Sequence, residues 1–128
     1  MKVYIATPIN NRPEPTMERR LAAACLRVSE IKAICRKKES IFGPEPVLVS
    51  TFDVNPMTEG VTEAEAMGRC VSLLLTCDVI VVDNYNPERT GLSKGVTAET
   101  LVAKIYNKKV LYLRDEKEVK PKMDGGAN

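Results

Sequence analysis

The run "DVIVVD" (78–83) is a nearly continuous series of β-branched residues. A strand with one face in water alternates apolar and polar side chains, whereas a strand covered on both faces does not. This run therefore suits a central strand of a parallel sheet. Immediately upstream, "TEAEAMGRCVSLLLTC" (62–77) opens with a capping-box pattern, Thr62-x-x-Glu65, and is expected to be a helix. Downstream come a predicted helix, "GVTAETLVAKIYNKK" (95–109), and a strand, "VLYLRD" (110–115).

Further out the pattern repeats. "KVYIA" (2–6) is a short β-rich run ending in the turn-rich loop "TPINNRPEP". In "TMERRLAAACLRVSEIKAICRKK" (16–38), Leu21, Ala24, Cys25, Val28, Ile31, Ile34 and Cys35 fall at helical spacing. "PVLVSTF" (46–52) is a strand followed by the Pro- and Gly-containing loop "DVNPMTEG". Strands alternating with helices predict an α/β fold: a three-layer open parallel sheet flanked by helices, Rossmann-like or flavodoxin-like. One domain over 1–128 is expected, with a charged, Gly-rich and flexible tail over about 115–128. The two longest loops, 7–15 and 84–94, leave the carboxyl ends of strands, where open α/β sheets bind ligands.

Composition narrows the chemistry. A net charge of +2 is too small to argue for a nucleic-acid or acidic membrane partner. No apolar run approaches the length of a membrane span, and "MKVYIATP" is too short for a signal peptide, so the cytoplasm is the expected compartment. The sequence contains no histidine, which argues against the usual zinc sites and removes Ser-His and Cys-His nucleophile systems. Cys25, Cys35, Cys70 and Cys77 form no C-x-x-C pair and are expected to be reduced thiols packed as small hydrophobes. Acid–base work falls to carboxylates, tyrosines, lysines or thiols.

The segment "GLSKGVTAET" (91–100) runs from a loop into a helix but matches neither G-x-x-x-x-G-K-[ST] nor G-x-G-x-x-G. Its spacing favours a cap, with Ser93 or its neighbour closing the helix and Gly95 easing a tight turn. The alternative is an anionic group held by helix-start N–H groups with Ser93 and Lys94. Glu99, read as lying in the first turn, is favoured and kept ionised by the helix dipole with no function required. An ionised carboxylate there would also suit attack on a sugar's anomeric carbon, whose transition state is positive. Tyr85 is read as a loop lid, Tyr106 as a core residue, and Lys108 and Lys109 as cations opposing the dipole at the end of this helix.

Three segments together resemble the nucleoside 2-deoxyribosyltransferase superfamily, in particular its short, often phage-associated branch, and its deoxynucleoside 5′-monophosphate N-glycosidases. "MKVYIATPINNR" is similar to the family's first strand and ligand loop. "LLLTCDVIVVD" is similar to its central strand, and "SKGVTAETLVAKIYNKKV" carries its S-x-G-x-x-x-E-x-x-x-A spacing at Ser93, Gly95, Glu99 and Ala103. These segments frame the chain up to about Leu113.

The resemblance implies cleavage or transfer of the N-glycosidic bond of a (deoxy)nucleoside or its 5′-monophosphate, without metal or organic cofactor. It implies Glu99 as nucleophile and Tyr4 as the residue that positions it. Thr7, Pro8, Asn10, Asn11, Arg12, Ser93 and Gly95 fall on the substrate-binding positions. Serine at 93 tilts the expectation toward a phosphorylated ligand, with Arg12 as a possible cation for phosphate. A homodimer or larger oligomer is expected. One departure stands out: the family's second-helix aspartate, the acid for the leaving base, is replaced by the neighbourhood of Arg69 and Cys70. Glu63, Glu65, Asp53 and Asp83 are candidate substitutes, the two glutamates reading more simply as helix-opening acids. The competing expectation is a non-catalytic nucleotide-binding or sensing domain, with a structural domain lacking any small ligand behind it.

Overall fold

The computed structural model describes residues 1–56, 60–83, 93–114 and 118–121. Five strands, β1 (Lys2–Ala6), β2 (Val47–Ser50), β3 (Val79–Asp83), β4 (Lys109–Arg114) and β5 (Glu118–Pro121), form one sheet in the order β2-β1-β3-β4-β5. The first four run parallel, and β5 pairs antiparallel with β4. The helices are α1 (Met17–Arg36), α2 (Glu39–Phe42), α3 (Glu63–Leu75) and α4 (Lys94–Ile105), and a 3-10 turn covers Thr51–Asp53.

Side chains of successive strand residues point to opposite faces, and this divides the core in two. Val3 and Ile5 of β1, with Val79 and Val81 of β3, pack against Val28, Ile31 and Cys35 of α1 and Phe42 of α2. Tyr4 and Ala6, with Ile80 and Val82, face the other way, against Cys70 and Leu74 of α3 and Val96 and Ala103 of α4. Every residue of β3 is buried, as its unbroken apolar run requires. Tyr4 therefore lies, by the parity of its strand, on the layer that contains α4.

Three sequence expectations change. Within the tail expected to be flexible, residues 118–121 add a fifth, antiparallel strand, while 115–117 and 122–128 lie outside the described residues. Tyr106 is 58% exposed and belongs to neither core cluster: α4 ends at Ile105, and Tyr106 is its C-cap. Lys108, expected to oppose the dipole of its own helix, instead donates from Nζ to the Leu75 carbonyl at the end of α3, at 3.2 Å. Lys109 opens β4. Tyr85, expected to be a loop lid, lies with the rest of residues 84–92 outside the described residues.

The strand order reverses direction around β1. The chain leaves β1 toward β2, then crosses back past β1 to β3, so the crevice between the carboxyl ends of β1 and β3 is a topological switch point. The residues just past and at those two ends are tied together: the Thr7 hydroxyl donates to Asp83 Oδ2 at 2.6 Å.

Candidate active site

Helix α4 buries Val96, Glu99, Thr100 and Ala103, spaced i, i+3, i+4 and i+7, so a glutamate occupies its sheet-facing stripe. Glu99 is 6% exposed. Because α4 begins at Lys94, Glu99 is beyond the first turn, where the helix dipole fades. The sequence reading that the dipole keeps it ionised is thus corrected. Burial raises the Glu99 carboxyl from an ordinary 4.5 to about 7, and the hydrogen bond from Tyr4 opposes part of that rise.

Tyr4 is fully buried and its hydroxyl donates to Glu99 Oε2. Burial, and next the Glu99 charge, push the phenol well above its usual range, so it remains a protonated donor. Cys70 Sγ is a second neighbour of the Tyr4 hydroxyl. The Cys70 thiol donates to Thr51 Oγ1 at 3.0 Å, and Asn55 Nδ2 points at Cys70 Sγ, Thr51 Oγ1 and the Ala66 carbonyl within 3.4 Å. Burial pushes this thiol up, the Thr51 hydrogen bond opposing. The position where an acid was expected is occupied by a neutral, hydrogen-bonded thiol.

A cavity of about 150 Å³ opens at Glu99, lined also by Thr7, Ile9, Asn10, Thr51, Glu63, Ala66, Met67, Cys70, Ser93, Gly95 and Val96. A larger groove of about 430 Å³ shares Ile9, Asn10, Thr51, Glu63 and Ala66 with it and continues to Met17, Leu21 and Phe52. Glu99, Thr7, Asn10, Ser93 and Gly95 thus meet at one cavity, with Tyr4 behind Glu99.

Pro8, Asn11 and Arg12 are not among its walls. Arg12 was expected to offer a cation to a phosphate. It is instead 8% exposed and turned back into its own loop, Nε donating to the Pro8 carbonyl at 2.8 Å and Nη2 to Thr7 Oγ1 at 3.2 Å. Its guanidinium lies 3.9 Å from Asp83, which Arg27 also engages, Nε to Oδ2 at 3.2 Å. Both polar atoms of the Asn11 amide are buried, and neither finds a hydrogen-bond partner among the described residues.

Ser93 is the N-cap of α4, accepting from the Val96 N–H at 3.2 Å. Gly95 lies inside the helix, and a Cβ there would meet Met67 Cε at an ordinary 3.6 Å, so no tight turn demands glycine. Asp53 closes a capping box with Ser50, and Asp83 is the buried partner of Thr7 and Arg27; neither lines the cavity. Glu65 completes the cap of α3, accepting from the Thr62 hydroxyl at 3.0 Å. Sequence reasoning missed the Thr51–Asn55–Cys70 network, which unites residues from two elements. It also missed Arg27, whose signal was visible: a charge one turn from Ala24 and Ile31 on the buried face of α1.

No protein-family model matches the chain, and no curated protein matches it in sequence. Solved structures do match in shape. A 2-desoxiribosyltransferase from Leishmania mexicana aligns at a TM-score of 0.60 and 15% identity, over 93% of this chain and 77% of that one. A 2-deoxyribosyltransferase from Bacillus psychrosaccharolyticus aligns at 0.58 and 15% identity, over 96% of this chain and 100% of that one. A conserved protein from Enterococcus faecalis V583 aligns at 0.55 and 18% identity, over 87% of this chain and 61% of that one. The fold is that of an α/β protein with a four-stranded parallel sheet flanked by helices. More particularly, it is nucleoside 2-deoxyribosyltransferase-like.

Proposed function

We propose that this protein cleaves or transfers the N-glycosidic bond of a (deoxy)nucleoside or its 5′-monophosphate, with Glu99 as nucleophile. One observation carries the reading: the Tyr4–Glu99 pair sits at the switch-point cavity, holding a carboxylate where a ligand can meet it. A structural ion pair would shield such a group with a cation. Here a phenol holds one oxygen, and the carboxyl lines an open cavity. In the ionised form Glu99 stabilises positive charge developing at C1′ and bonds to that carbon as the base departs. Tyr4 fixes the carboxylate's orientation without competing for the proton. Ser93 and the amide groups at the start of α4 hold the far end of the sugar or a 5′-phosphate. No metal or organic cofactor takes part in this scheme, and the site is completed by assembly into a homo-oligomer.

The test is release of free base from a panel of 2′-deoxynucleosides and their 5′-monophosphates, followed by chromatography. Release that vanishes in Glu99→Ala supports the reading; unchanged release in that variant ends it. Adding a second base separates transfer from hydrolysis. A second reading, a nucleotide-binding or sensing domain without turnover, is favoured by Cys70 occupying the acid's expected place. It predicts thermal stabilisation by the same ligands with no base released.

A further inference from the structure

We propose that Glu63 is the acid and base that serves the leaving nucleobase, a proposal that rests on the glycosidic reading above. Residues 63, 66, 67 and 70 of α3 fall at i, i+3, i+4 and i+7, and all four line the cavity that holds Glu99. Cys70 forms its floor beside Tyr4, and Glu63, seven residues and about 10 Å earlier along the helix, stands at its mouth. Among the described residues, Glu63 and Glu99 are the two carboxylates on that wall. Glu63 also borders the larger groove, so it marks the seam where the two spaces join.

The arrangement divides a nucleoside between two compartments. The nucleophile fixes C1′ in the inner cavity, so the base occupies the groove beyond, and the scissile bond crosses the seam. In the first turn of α3 Glu63 suits the helix dipole, but no described side chain holds it in place. The neighbouring glutamate, Glu65, makes the cap with Thr62, whereas Glu63 is exposed and makes no hydrogen bond or ion pair among the described residues. A carboxyl open to water exchanges its proton between turnovers.

In the step, a Glu99 oxygen bonds to C1′ as the C1′–N bond breaks, and the electron pair passes to the base. The Glu63 proton goes to a ring nitrogen of that base. The Glu63 carboxylate then takes a proton from water, or from an incoming base, as that nucleophile attacks C1′ and frees Glu99. The proton count closes over one turnover, and the two carboxylates divide the work as in other glycosidic chemistry.

The experiment compares wild-type protein, Glu63→Gln and Glu99→Ala. The substrates are the common 2′-deoxynucleosides, their 5′-monophosphates and the N7-methylguanine derivatives. N7-methylguanine carries its positive charge already and departs without a donated proton. The expected result is a loss of about 10²–10⁴-fold in Glu63→Gln on the unmethylated substrates, with the methylated ones cleaved within about threefold of wild type. Unchanged rates in Glu63→Gln, or equal losses on both substrate kinds, with Glu99→Ala inactive, overturn the role of Glu63 alone. No base released from any substrate by the wild-type protein overturns the glycosidic reading, and this one with it.

Discussion

The Tyr4 hydroxyl donates its hydrogen bond to Glu99 across 95 residues of sequence, from the first strand to the last helix, inside the layer both share. The pair joins a donor that cannot readily ionise to a carboxyl that burial makes reluctant to. Its protonation state therefore couples the stability of the fold to the chemistry proposed for it.

Glu99→Gln should stabilise the protein at alkaline but not at acid pH. Below 4.5 the carboxyl is neutral in folded and unfolded chains alike, and nothing is lost. Between 4.5 and about 7 the unfolded chain ionises while the folded chain retains its proton, so stability falls as pH rises. Above about 7 the full cost remains, about 3 kcal/mol at 1.36 kcal/mol per pH unit. Glutamine carries no such cost and still accepts from Tyr4. Calorimetry should show a Tm gain of the order of 10 °C at pH 8 and almost none at pH 4.

Tyr4→Phe should slow base release about 10–100-fold at neutral pH, because a hydrogen bond to a charged group contributes about 1.5–3 kcal/mol. The direction of the pH effect is fixed by the same bond. The Tyr4 hydroxyl lowers the Glu99 value, so its removal moves the acid limb of the rate profile to higher pH. A profile that keeps its wild-type limb would show that the phenol acts only through packing.

Asp83→Ala should destabilise the fold by about 3–5 kcal/mol in urea denaturation. Asp83 is 1% exposed and accepts from Thr7 and Arg27, with Arg12 at 3.9 Å. Truncating it leaves two buried arginines to share fewer anionic partners. Adding Arg27→Met to that variant should recover part of the loss, a non-additive result expected of residues in direct contact.

Thiol reactivity should be uneven. All four cysteines are free, and three of them (Cys35, Cys70 and Cys77) are buried, while Cys25 is half-buried. Burial pushes the Cys35 thiol up to about 11 and raises Cys70 and Cys77 as well, which depletes the reactive thiolate. A disulfide reagent at pH 8 should titrate Cys25 quickly and the others slowly, then all four in denaturant. Fast reaction at Cys70 would mean that its network with Thr51 and Asn55 opens in solution.

The sequence by itself determined the layering. The β-rich run "KVYIA" and the unbroken run "DVIVVD", alternating with helical spacings, point to a sheet covered on both faces, since strand and helix periodicities are local properties of the chain. Ser93 as a cap and Glu65 answering Thr62 were legible for the same reason. Spacing also drew attention to Glu99. Tertiary structure decided its environment: the helix starts a residue earlier than its pattern suggests, and burial sets the proton affinity of the carboxyl. The fate of Arg12, the thiol network at Cys70 and the placement of Glu63 on the cavity wall were likewise beyond the sequence. Each depends on which distant groups share one low-dielectric space, a quantity fixed by packing between elements.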